Sequence, residues 1–148
     1  MELNIHLAGP KDIPGILRLY AYMSDEPVFQ DEEKAQTVLD EILAQKNQHL
    51  LVGSLGSQVV SSLTVTVLQS LAHGCLPYAV IKHVVTDPAF GGRGYATALM
   101  QAAAQIAKGA GCYKCMLVTS RSAKHVHSLY QKAGYRSEGY TAYTMKLL

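Results

Sequence analysis

Thirteen consecutive residues, Val84-Val85-Thr86-Asp87-Pro88-Ala89-Phe90-Gly91-Gly92-Arg93-Gly94-Tyr95-Ala96, combine a β-branched start, a strand-stopping Asp-Pro and three closely spaced glycines. A strand that delivers the chain into such a turn, with a helix starting at once, gathers backbone N–H groups beside the positive end of a helix dipole. That arrangement holds phosphate. A dinucleotide fingerprint would need a glycine where Thr97 stands and an acidic residue ~20 positions on, and a triphosphate loop would need Gly-Lys-Ser/Thr. The sequence carries neither.

Two further side chains have the chemistry for proton transfer. Tyr130 has a reference pKa of ~10 and keeps its proton at neutral pH. It also shares a helical stripe with Val126, Leu129 and Ala133, so spacing alone favours core packing over proton donation. His83, just before the glycine run, is of a residue type whose reference pKa of ~6.5 suits a base, but strand parity leaves open which way it points. His125 and His127 read as solvent-facing or supporting residues. Cys112-Tyr113-Lys114-Cys115 matches CxxC, but no second pair completes a zinc site, and a strand would send the two thiols to opposite faces. A structural role is expected for both.

The elements that must position these groups follow from periodicity. Residues 2–8 alternate as a strand. Pro10 opens a helix running to about Met23, with Ile13, Ile16, Leu17 and Tyr20 on one side. A second helix starts at Asp31. Residues 49–68 read as a hairpin broken at Gly56-Ser57, and Tyr78 to Thr86 as a strand. A helix follows over about 95–108, ended by Gly109 and Gly111, then a strand over 113–119 and a short helix over 124–133. Residues 135–148 offer two last strand segments around Glu138-Gly139. Strands and helices in this order predict an α/β fold, a mixed sheet with helices on both faces.

Gly91-Gly92-Arg93-Gly94-Tyr95-Ala96 resembles the pyrophosphate signature Gln/Arg-x-x-Gly-x-Gly/Ala of the GNAT superfamily of acetyl-CoA-dependent N-acetyltransferases. It matches at Gly94 and Ala96 and departs at Gly91, where Gln or Arg is usual. Leu129-Tyr130-Gln131-Lys132-Ala133-Gly134-Tyr135 is similar to the family's late helix motif, Phe/Leu-Tyr-Glu-Lys-x-Gly-Phe. The resemblance spans essentially the whole chain. It implies one domain over residues 1–148, with a mostly antiparallel sheet of six to seven strands and about four helices, the acyl-CoA N-acyltransferase fold.

The resemblance also implies a chemistry: transfer of an acetyl group from acetyl-CoA to a primary amine of a small molecule, by direct attack in a ternary complex and without a metal. The pyrophosphate falls to Gly91, Gly92, Arg93, Gly94, Tyr95, Ala96 and Thr97, with a weaker hold at Gly91. The pantetheine arm falls beside the backbone of Val84, Val85 and Thr86. Tyr130 becomes the proton donor to the CoA sulfur. No general base is obvious: His83 is a candidate by its place on the strand, and an ordered water chain or loss of the ammonium proton to bulk solvent is the alternative. Acidic residues between the first two helices, Glu26 and Asp31, are assigned to an amine acceptor, polycationic amines included. Gly111-Cys112-Tyr113-Lys114 is similar to the amino-sugar-phosphate branch, yet that branch carries an acidic pair where Lys82-His83 stand. A homodimer joined through the last strands is implied too. A non-catalytic acyl-CoA-binding module and a protein N-acetyltransferase are the alternatives.

Composition sets the outer limits. The 148 residues are 49% hydrophobic and 16% charged, enough apolar content for one folded core. Residues 1–41 hold nine of the eleven acidic groups against three of the thirteen basic ones, so the remainder is basic and suited to an anionic ligand. No apolar stretch approaches the ~20 residues of a spanning helix, and Met1 to Pro10 lacks the pattern of a signal peptide. The cytoplasm is the expected compartment, with no membrane contact. The dispersed positive charge, with no basic helix or finger, argues against nucleic acid.

Overall fold

The computed structural model describes residues 1–23, 29–121 and 124–148. In chain order they form β1 (Asn4–Leu7), a 3-10 turn (Pro10–Asp12), α1 (Ile13–Tyr20), α2 (Glu32–Ala44), β2 (Gln48–Leu55) and β3 (Gln58–Leu68). The one-turn α3 (Ala72–Cys75), β4 (Tyr78–Thr86), a second 3-10 turn (Pro88–Phe90), α4 (Tyr95–Gly109), β5 (Cys115–Leu117) and α5 (Lys124–Lys132) follow. The sheet runs β1-β2-β3-β4-β5, antiparallel as far as β4 and parallel between β4 and β5. The α/β class and the mixed, mostly antiparallel sheet are as expected from the sequence.

Alternation along the strands builds one core on each face. Leu50 and Val52 of β2 join Ile13, Ile16 and Leu19 of α1, while Leu51 joins Leu99, Met100 and Ala103 of α4. The hairpin closes through a two-residue turn in which Gly56 takes a positive φ of 60°, leaving Leu55 opposite Gln58. α1 lies unusually close to β3 because Gly15 has no side chain. A Cβ there would stand 2.7 Å from the Val59 Cβ.

The feature that opens the sheet is a bulge in β4. Ser62 pairs with Val85 and Thr64 with Lys82, so a single β3 residue faces both His83 and Val84. His83 adopts φ 57°, the left-handed region that side chains other than glycine seldom take. The extra residue reverses the alternation: Ala79 and Ile81 point into the α4-side core, whereas Val85 joins the α1-side core. Pairing of β4 with β5 covers only Ala79–Ile81 against Cys115–Leu117, and beyond it the two strands part.

Four expectations are corrected. Among the described residues the sheet has five strands where six to seven were expected. Residues 135–148 form no strand, although Tyr143, Met145 and Leu147 alternate as a strand would, because no strand among the described residues pairs with them and an unpaired strand has no ladder to hold it. Strand β5 is shorter than the expected 113–119, since the bulge carries its partner away. Cys112 and Cys115 do not face opposite ways: both pack on the α4-side core, because Cys112 lies in the turn before β5. Burial pushes both thiols up, and neither is in a disulfide. Among the described residues, no helix is long and apolar enough to cross a membrane and no cluster of three His, Cys, Asp or Glu could hold a metal.

Candidate active site

The turn after β4 is built by capping. Asp87 caps the 3-10 turn, its Oδ1 accepting the Ala89 N–H at 2.9 Å and its carbonyl accepting the Phe90 N–H at 2.8 Å. The Gly91 N–H donates to the Pro88 carbonyl at 3.3 Å. Gly92 and Gly94 then take φ of 73° and 82°, and the chain enters α4 at Tyr95. The Ala98 N–H donating to the Gly94 carbonyl starts the helical ladder, so the N–H groups of Tyr95, Ala96 and Thr97 precede it. A Cβ added at Gly92 or Gly94 would meet nothing within 4 Å, so space lies open over these glycines. Open N–H groups, a helix dipole and vacant space above bare glycines fit a diphosphate.

This turn forms one end of a cleft of about 930 Å³ between the parted halves of β4 and β5. Residues 82–86 make one wall, residues 117–121 and α5 the other. Nearly all the residues singled out from the sequence line it: His83, Val84, Val85 and Thr86 on β4, Gly91, Gly92, Gly94, Tyr95, Ala96 and Thr97 on the turn, and Tyr130 on α5. Arg93 does not line the cleft; its guanidinium lies 5.3 Å from the Phe90 ring centroid. Asp31 does not line it either; its exposed carboxylate caps α2 by accepting the Lys34 N–H at 3.0 Å. Glu26 lies outside the described residues. Of the described lining residues none is acidic, whereas Lys82, Arg121 and Lys132 are basic, which suits an anionic ligand.

Tyr130 is half-buried, packs on the α4-side core and faces the cleft as well, so packing and chemistry are both open to it. Burial pushes its phenol above the ordinary tyrosine value, partly offset by Arg121, which keeps the proton in place at neutral pH. The Ala133-Gly134-Tyr135 stretch sets its position. Gly134, at φ 96°, ends α5 so that the Tyr135 N–H returns to the Tyr130 carbonyl at 3.0 Å, and the two rings meet edge to face at 6.4 Å. His83 sits on the opposite wall. The bulge turns its ring toward the end of α1, 5.9 Å from Tyr20 between centroids, and Met23 lines the cleft beside it.

Sequence reasoning missed a strap behind the turn. Arg18 on α1 donates from Nη1 to Asp87 Oδ2 and from Nη2 to the Val59 carbonyl, both at 2.6 Å. Asp87 is buried, and its N–H donates to the Val60 carbonyl at 2.8 Å. Burial alone would raise the Asp87 pKa, but the Arg18 hydrogen bond, the Ala89 N–H and the Arg18 charge together hold it below the usual carboxylate range. The 69 residues separating the partners hide the pair in a single sequence.

A strand bulged beside a parallel neighbour, a glycine turn at the opening and a tyrosine facing it from the last helix make a cleft suited to a diphosphate-bearing ligand. The profile described as the acetyltransferase (GNAT) family matches residues 16–135. The chain belongs to that family and is an acetyl-CoA-dependent N-acetyltransferase. Among solved structures it is similar to a putative acetyltransferase from Agrobacterium tumefaciens, 33% identical, with a TM-score of 0.88 over 97% of this chain and 99% of that one. A transcriptional regulator from Bacillus halodurans shares the fold at 23% identity and a TM-score of 0.90, over 99% of this chain and 100% of that one. A glucosamine 6-phosphate N-acetyltransferase of Trypanosoma brucei brucei is 23% identical over 93% of this chain and 91% of its own length.

Proposed function

We propose that the protein transfers the acetyl group of acetyl-CoA to a primary amine of a small molecule by direct attack in a ternary complex. The observation that carries this reading is the glycine turn, with its unladdered N–H groups and open space, placed at one end of a cleft that Tyr130 and His83 face from opposite walls. Acetyl-CoA supplies the acetyl group as an activated thioester. The N–H groups of Gly92 through Thr97 bind the diphosphate, and the β4 backbone over Val84, Val85 and Thr86 orients the pantetheine arm and polarises the thioester carbonyl. His83 takes one proton from the ammonium form of the acceptor, and the neutral amine forms its N–C bond to the thioester carbonyl carbon as the C–S bond breaks. The Tyr130 hydroxyl protonates the departing sulfur, and the second amine proton restores the Tyr130 phenol, leaving an amide and free CoA.

The acidic stretch containing Glu26 and Asp31 draws in the cationic acceptor, so charge reversal at these two positions raises the acceptor KM. A homodimer is proposed as well: Tyr143, Met145 and Leu147 are more than four-fifths exposed, a surplus of apolar surface that a second copy would cover. Release of free CoA, followed against amino sugars, amino-sugar phosphates, aminoglycosides, polyamines, amino acids and peptides, tests the function. Thiol release that requires a small amine supports it. Release that no small amine accelerates, or that only peptides accelerate, contradicts it.

A further inference from the structure

We propose that Arg18 and Asp87 form a positioning pair for the diphosphate turn, in which Arg18 neutralises the carboxylate that caps the turn so that it can receive an anion. The inference rests on the cofactor reading above. Asp87 is needed where it is: it receives the Ala89 N–H and the Phe90 N–H, and its own N–H is tied to β3, which fixes the chain immediately before Gly91. Asp87 does not itself line the cleft, but it precedes Gly91 by only four residues, and an unneutralised buried carboxylate there would work against a diphosphate on the turn.

Arg18 removes that conflict while adding a mechanical link. One arm of its guanidinium holds Asp87 and the other holds the Val59 carbonyl, so α1, β3 and the end of β4 are joined at a single side chain. Gly15 lets α1 approach β3 closely one turn earlier, and this puts Arg18 within reach. A lysine carries the same charge but cannot span both acceptors with a planar fork. Neither Arg18 nor Asp87 lines the cleft, so the pair acts on the cofactor through the backbone of the turn that Asp87 caps and through its net charge.

The test compares two thioesters, acetyl-CoA and acetyl-pantetheine, which lacks the diphosphate. For Arg18→Met we expect the preference for acetyl-CoA, as a ratio of kcat/KM values, to fall about tenfold or more. In the double variant R18M/D87N the repelling charge is gone and most of that preference returns. Arg18→Lys, which keeps the charge and protects the fold if R18M unfolds, should lose about threefold, on the order of one hydrogen bond. A merely structural pair would lower the melting temperature and leave the ratio alone. An unchanged ratio in R18M and R18K, or a ratio that D87N fails to restore, overturns the proposal. The wild-type preference for acetyl-CoA, measured in the same series, tests the cofactor reading independently of the variants.

Discussion

Tyr130 and His83 face one cleft from opposite walls, and they reached that arrangement by different routes. Tyr130 was legible in the sequence because its neighbours repeat a helix-ending pattern, and Gly134 performs the turn that the pattern requires. His83 was only half legible. Its direction depends on a bulge, which arises from register against β3 and leaves no local mark. Replacing Tyr130 by Phe should lower kcat by about 10²-fold or more, the usual contribution of a general acid, with the acetyl-CoA dissociation constant nearly unchanged. Because burial raises this phenol, the alkaline limb of the wild-type kcat profile should lie above ~10 and vanish in the variant. At His83, stability and chemistry can be separated. His83→Gly should be more stable than His83→Ala by ~1 kcal/mol in denaturant titration, since only glycine accepts the left-handed backbone without cost. Both should lose kcat equally if the imidazole moves the proton.

The elements divide in the same way. The hairpin, β4 and α4 were readable from alternation, paired turn residues and glycine punctuation, whereas β5 and the tail were not, because strand length there depends on what a neighbour offers. Gly91 illustrates the limit of motif reading. It takes an ordinary extended conformation, and a Cβ would meet only the Pro88 carbonyl at 3.5 Å, so the usual Gln would fit. Gly91→Gln should therefore tighten acetyl-CoA binding by roughly fivefold, on the order of one net hydrogen bond, as measured by calorimetry. The Arg18–Asp87 strap gives a pH signature. Its carboxylate is held below the unfolded value of ~3.9, so the stability it contributes is complete above that pH and disappears as pH falls through the lower folded value. Asp87→Asn should be less stable than wild type at pH 7, with the gap closing under acid titration below about pH 4.

At the scale of the molecule, the charge division seen in the sequence has a partial counterpart. The basic portion of the chain supplies the lining cations Lys82, Arg121 and Lys132, and the acidic portion supplies α2 and its cap. What the sequence concealed was the fate of the last residues, whose apolar alternation reads as strand but finds no partner strand among the described residues. If the proposed dimer forms through the tail, removing residues 140–148 halves the sedimenting mass while the far-ultraviolet circular dichroism of the domain persists; an unchanged mass would assign the tail no role in assembly. Diphosphate binding by the turn between Phe90 and Thr97 is the central claim. Amide-resolved NMR titration with coenzyme A tests it directly. Saturable shifts are expected at the N–H groups of residues 92–97 that pantetheine alone does not produce. Silence at those amides at millimolar coenzyme A, or equal shifts with pantetheine, would contradict it.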